Sequence, residues 1–349
     1  MHYARHDEAL VLLKGYGPDL TNGMTSHVPM VAEAMAAMGQ DQAALDWVER
    51  HRHTIVPRRA RVLKEEGELW PSGLGQHGLQ EEWSAFFSEE IRVQGWRKIC
   101  DIWGQRLAPG FAAAASHGVI RVAHAARALS QCETDLRLRE LADGLALWAS
   151  TYAVLPAEVK KQQRLSAIDA LKQVPLVPDS YRRNGGSITA ALGQLKFAPE
   201  FADVINFVDW DRGIEANILD AAEAFAHVVV QNVCTRSTAI VFTHGVTGIL
   251  AVRNLLPHVS LETARLLLQY GWNTGAALYA AYAVVPFELP QERFGAESVD
   301  RIARAVAHGD DHVIKLTEAC LNFYADRPSQ VFLKATDVVA HHLASDQPD

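Results

Sequence analysis

Two histidines stand seven residues apart in the alanine-rich run Ser116-His117-Gly118-Val119-Ile120-Arg121-Val122-Ala123-His124, and they are the strongest chemical feature of this 349-residue chain. Seven residues make two helical turns, a rise of about 10.5 Å, so both imidazoles share a face with Arg121 between them. Neutral imidazole is a ligand for iron, zinc or copper, and the small neighbouring side chains leave room for a cavity. The same spacing also suits two core histidines satisfied by hydrogen bonds, with Arg121 paired to a carboxylate.

Other histidines extend the candidate set. His27 lies in Ser26-His27-Val28-Pro29-Met30, before a helix that Pro29 opens. A ligand there would be held stiffly, although an exposed loop histidine reads equally well. His244 interrupts an apolar helical run flanked by Ile240 and Ile249. A buried imidazole needs a partner, which is a metal, a backbone carbonyl, or the hydroxyl of Thr243 or Thr247. In Asp310-Asp311-His312-Val313-Ile314-Lys315, His312 and Lys315 fall one turn apart on a starting helix. Taken alone, a lysine at that position belongs to solvent.

The elements that must position these residues are helices. Alanine and leucine dominate, β-branched alternation is scarce, and apolar residues recur at the three-and-four spacing of a helix face. The pattern predicts an all-α protein of one continuous domain, residues 1–349. Its helices are expected over 31–38, 80–90, 111–129, 136–152, 157–171, 214–233, 239–255, 261–284, 299–307, 312–324 and 331–343, with a further helix ending near Arg106. Ser260 is the expected cap of the 261–284 helix and Pro156 the opener of the 157–171 helix. Proline and glycine mark 53–78 and 174–186 as surface or lid loops.

Composition narrows the function. A hydrophobic share of 49% and a charged share of 21% describe a globular chain. A net charge of -8 repels phosphate backbones, so nucleic acid is not an expected partner. Apolar runs fall short of the roughly 20 residues of a membrane span, and the charged opening 1–14 lacks a signal-peptide core. A cytoplasmic protein is the expectation. Gly73, Gly75 and Gly78 satisfy G-x-G-x-x-G, but no apolar strand precedes them, which argues against a dinucleotide fold. The four cysteines form no C-x-x-C pair and no C-x-x-C-H, so zinc-knuckle, redox and covalent haem motifs are lacking. Buried reduced thiols are expected.

Taken together, HVPMVAEA at His27, HGVIRVAHAARAL, ELADGLALWASTY with Trp148 and Tyr152, THGVTG at His244 and HVIKLTEA resemble the questin oxidase-like family over most of the chain. That family acts in fungal and bacterial pathways oxidising polycyclic aromatic quinones, and some members are non-haem iron oxygenases that open an anthraquinone ring. The resemblance implies an iron ion held by four histidines and a carbamylated lysine, placed by motif on His27, His117, His124, His244 and Lys315. Lys334 in VFLKATDV and His312 are the alternatives for the last ligand.

The chemistry is coherent on its own terms. Burial lowers a lysine pKa and frees the amine to take up carbon dioxide as an anionic carbamate, a hard ligand that imidazoles alone do not supply. Four imidazoles and a carbamate leave a position of an octahedral Fe(II) open for dioxygen. The expected substrate is an aromatic polyketide, quinone or hydroquinone cleaved oxidatively at a carbon-carbon bond, with Arg121 stabilising an oxyanion and His312 as a further catalytic candidate. Trp272, Tyr279 and Tyr282, near Gly271 and Gly275, would wall a flat cavity or fill the core. Two rival readings are a Baeyer-Villiger-type oxidation using NADPH as external reductant, and a non-catalytic helical scaffold.

Overall fold

A computed structural model describes residues 3–182, 186–289 and 300–344. They form an all-α protein with one two-stranded ribbon among the described residues. The chain clusters into two compact units, 1–154 with 254–264, and 155–253 with 265–349.

The first unit carries α1 (His6–Leu13), β1 (Tyr16–Leu20), α2 (Val28–Ala37), α3 (Asp41–His51), β2 (Ile55–Pro57), α4 (Glu66–Leu69), α5 (Gln80–Gln94), α6 (Trp96–Leu107), α7 (His117–Gln131) and α8 (Asp135–Ser150). The second carries α9 (Ala167–Lys172), α10 (Ile188–Leu192), α11 (Ile214–Asn232), most of α12 (Arg236–Leu255) and α13 (Leu261–Tyr282), then α14 (Arg301–His308), α15 (Asp311–Asp326) and α16 (Gln330–His342). Val299, the expected start of α14, lies outside the described residues.

In the first unit, two glycines let α7 and α8 cross closely. A Cβ at Gly118 would lie 2.5 Å from the Trp148 Cα, and one at Gly144 would lie 3.0 Å from the Val122 nitrogen. Trp148 donates from Nε1 to the Gly110 carbonyl at 3.0 Å, and the Tyr152 ring packs against Gly110. These two aromatics of the family-like motif therefore build the scaffold around α7. Trp70, Trp83, Phe86, Phe87 and Trp103 form the aromatic core beside them, with Phe87 and Trp103 rings 4.9 Å apart. Segment 254–264 closes the unit: the Ser260 nitrogen and Oγ both donate to Asp101 at 2.8 Å, and Trp96 meets His258 at 4.9 Å. Ser260 also caps α13, as expected, by accepting from the Thr263 nitrogen.

In the second unit, the Phe225 ring on α11 lies against Gly245 of α12 and Gly275 of α13, where a Cβ would come within 2.2 Å of its Cζ. Trp272 stacks on Phe225 at 5.4 Å and donates to the Val204 carbonyl at 3.1 Å. The space that the small residues of α13 provide at Gly275 is thus taken by a core phenylalanine, and Trp272 fills the interior rather than facing a cavity.

Two expected helices are corrected. Residues 157–165 are irregular, with Arg164 left-handed at φ 62°, Leu165 bridged to Val208 in parallel and the Glu158 nitrogen donating to the Ala202 carbonyl at 2.8 Å. The segment AEVKKQQRL has too few apolar side chains for a buried helical stripe, and Val159 stands exposed, so backbone partners elsewhere win. The helix expected from Phe111 begins only at His117. Ala114, Ala115 and Ser116 turn left-handed, with φ of 46°, 56° and 69°. Such a conformation costs an L-residue about 1–2 kcal/mol. Ala114→Gly should therefore raise stability by about 0.5–1 kcal/mol, because glycine removes the Cβ clash while its greater unfolded-chain entropy offsets part of the gain. A thermal unfolding curve shifted downward would count against strain at this turn.

α12 with its continuation to His258 is the one described helix whose length and apolarity match a membrane span, and 78% of its apolar window is buried in the fold.

Candidate metal centre

The left-handed turn at Ser116 delivers His117 as the first residue of α7, and His27 immediately precedes α2. Their rings meet at 4.3 Å between centroids, tilted by 44°. Pro29 sits in the first turn of α2, as expected. The structure thus pairs two histidines of the first unit's share of the ligand set that lie 90 residues apart (117−27).

His124 has a different neighbour. Its Nδ1 lies 2.5 Å from Glu33 Oε2, a carboxylate in the middle of α2. Glu33 also accepts from Arg127 through Nε at 2.8 Å and Nη2 at 2.6 Å, and from the Tyr3 hydroxyl. Burial alone would raise the Glu33 pKa, but the Arg127 guanidinium reverses that and holds the carboxyl far below its usual range. Glu33 was not singled out from sequence. Its one signal is an acid set among nine apolar or small residues of VPMVAEAMAA.

Arg121 resolves into the carboxylate-paired alternative. Its Nε and Nη2 donate to Glu140 at 2.6 and 2.8 Å, a bidentate pair that an oxyanion would have to displace. Beside it, Asp143 is gripped by Arg58 at 2.5 and 2.9 Å, by Arg61 at 3.0 Å and by the Ser84 hydroxyl. Glu81 pairs with Arg58 at 3.0 Å. The cavity next to Arg121 and Asp143 holds about 20 Å³, space for a water molecule and not for an aromatic ring. Arg121 therefore belongs to a buried charge network rather than to a substrate cavity.

The second unit supplies the rest. His244, 3% exposed, donates from Nδ1 to the Ile240 carbonyl at 2.8 Å, while Thr243 and Thr247 satisfy their hydroxyls on backbone carbonyls of their own helix. Its ring meets His312 edge-on at 5.6 Å. His312 is the second residue of α15, its nitrogen donating to the cap residue Asp310, and its Nδ1 lies 2.6 Å from Asp311. Burial pushes the His312 pKa down, but Asp311 and Asp310 more than reverse this and raise it.

Lys315 is not at the solvent face where a lone lysine belongs. It is 2% exposed, and burial lowers its pKa to about 8 against the opposing pull of Asp311 and Asp310. Lys334, its rival, is exposed on α16. Of the two lysines only Lys315 has the desolvated amine that carbamate chemistry needs.

Donor chemistry fits a metal. Nδ1 of His244 faces a carbonyl and that of His124 a carboxylate, which leaves Nε2 of each ring as the nitrogen available to a metal, an arrangement common among metal-bearing histidines. His27, His117 and His124 lie in the first unit; His244, His312 and Lys315 lie in the second. Among the described residues, neither unit alone holds three His, Cys or carboxylate ligand atoms grouped as a metal cluster. Tyr279 donates to the Val285 carbonyl and is fully buried, so it too is a core residue, while Tyr282 is half-buried at the end of α13.

The model of the questin oxidase-like family matches residues 24–320. A comparison with curated proteins finds no match.

Proposed function

That match makes the chain a member of the questin oxidase-like family, and from this premise we propose that it is an iron(II)-dependent oxygenase cleaving a ring carbon-carbon bond of an aromatic quinone or hydroquinone with dioxygen. The observation that carries the reading is Lys315, a buried lysine with a depressed pKa on the same helix as His312, in a chain whose histidine motifs follow the family. The proposed ligands are His27, His117, His124, His244 and Lys315.

Bound iron would supply the one-electron chemistry that lets dioxygen react with a closed-shell aromatic. The chain's own residues do the rest. His124 and His244 present Nε2, with Nδ1 anchored by Glu33 and by the Ile240 carbonyl. Lys315, once its ammonium has lost a proton to water, would add carbon dioxide through the free amine, and loss of the second N–H proton to water leaves an anionic carbamate. His312, kept protonated more readily by Asp311 at Nδ1, can hold its second proton at Nε2 for a substrate oxygen.

The test is elemental analysis of protein purified without oxygen, alongside His117→Ala, His244→Ala and Lys315→Ala. About one iron per chain is expected in the wild type and little in the variants, with helical circular dichroism retained. Wild-type protein that takes up no iron on reconstitution, or variants that bind it equally well, would overturn the proposal. Dioxygen uptake with quinols in the absence of NADPH separates it from the NADPH-consuming reading.

A further inference from the structure

We propose that Glu33 is a positioning residue that sets the tautomer of His124, and with it the readiness of that histidine to bind metal; this rests on the iron reading above. Two groups compete for His124 Nδ1. Glu33 Oε2 lies at 2.5 Å and accepts a proton from it, whereas Arg127 Nη2 lies at 3.5 Å and can only donate. With the carboxylate present, Nδ1 carries the hydrogen and Nε2 the lone pair. Without it, the Arg127 guanidinium is the polar group facing Nδ1, and a hydrogen bond from Arg127 places the lone pair on Nδ1 and the hydrogen on Nε2. The ring would then present N–H where a ligand nitrogen is required.

Glu33 is built for this task. It is 1% exposed, it is tied down by the Tyr3 hydroxyl on its other oxygen, and Arg127 neutralises its charge, so the pair can be buried together. A carboxylate placed only to balance Arg127 would not need to face the imidazole, yet Oε2 lies within hydrogen-bond distance of both Arg127 Nη2 and His124 Nδ1. Removal of such an outer partner typically weakens metal binding by about 10–100-fold.

The experiment uses full-length metal-free protein with histidine ring nitrogens labelled with ¹⁵N, followed by titration with ferrous iron alone under anaerobic conditions. Wild type should show His124 protonated at Nδ1. Glu33→Gln should lose that preference and bind iron about 10–100-fold more weakly, and Glu33→Asp should recover part of both. Should Glu33→Gln perturb folding, Glu33→Gln with Arg127→Met removes the buried charge, and this double variant is expected to bind more tightly than Glu33→Gln alone because the competing donor is gone. An Nε2-protonated ring in wild type, or an unchanged tautomer with iron affinity within about twofold in Glu33→Gln, would overturn the assignment. If wild-type protein binds no iron, the functional reading fails, while the ¹⁵N spectra still decide what Glu33 does to His124.

Discussion

Asp143→Ala should cost about 3–5 kcal/mol of stability, the largest loss expected from any single truncation in the first unit. The carboxylate is 4% exposed and receives hydrogen bonds from Arg58, Arg61 and Ser84. Burial raises its pKa, but Arg58, Arg121 and Arg61 outweigh that and keep it ionised below the usual carboxylate range. Truncation leaves three guanidinium groups facing only Glu81 and Glu140, and a buried charge without its partner is the costly outcome. Asp143→Asn keeps the shape and should lose less. Urea unfolding followed by tryptophan fluorescence measures both, and a loss below about 1 kcal/mol for the alanine variant would mean that water enters and solvates the arginines.

The second large effect has the opposite sign. Lys315→Met should stabilise the metal-free protein at pH 7 by about 3 kcal/mol while abolishing iron uptake. The folded lysine titrates near 8 and the unfolded one near 10.5, so the unfolded chain binds more protons throughout that window. Wild-type stability therefore rises as pH climbs from about 8 to 10.5, and the burden of the charge is complete below 8. The methionine variant has no such slope. Its advantage at pH 7 should shrink by pH 9.5, where the amine is already neutral in the folded state. A variant less stable than wild type at pH 7 would show that Asp310 and Asp311 hold the ammonium more strongly than burial penalises it. A residue whose removal stabilises the scaffold and destroys the centre is one retained for chemistry.

Where one apolar stripe governs a long segment, the sequence reading comes close to the structure. The helices expected at 214–233, 239–255 and 261–284 form as Ile214–Asn232, Arg236–Leu255 and Leu261–Tyr282. It fails where long-range partners decide. Of the expected 157–171 helix only Ala167–Lys172 forms, because residues 158–165 take backbone partners in 202–207, and β1 and β2 pair across a stretch that periodicity leaves featureless. α1 and α3 were not anticipated, since short helices full of charge show little stripe.

The candidate centre divides in the same way. The burial of His244 follows from its apolar neighbours, whereas His27 and His117, 90 residues apart, were grouped only by the resemblance to the family. Glu33 meets His124 across 91 residues, and Arg58 meets Asp143 across 85, so no local pattern reveals either pair. Arg121 illustrates the cost of reading a face without its neighbour: helical spacing puts it between two histidines, and α8 supplies the Glu140 that claims it. Lys315 lies in a run buried continuously from His312 to Cys320, which period alone cannot distinguish from a solvent-facing position.

Segment 254–264 has a consequence for the order in which this protein matures. The first unit lacks the Ser260 contacts to Asp101 until that segment has emerged from the ribosome, although its other residues end at Val154. At ordinary translation speeds the intervening chain takes on the order of 5–20 s to make. During that interval the first half of α6 waits with Trp96 and Asp101 uncovered by their later partners, so a nascent chain stalled before residue 254 is a natural client for chaperones, and one stalled beyond 264 with its tail clear of the exit tunnel is not.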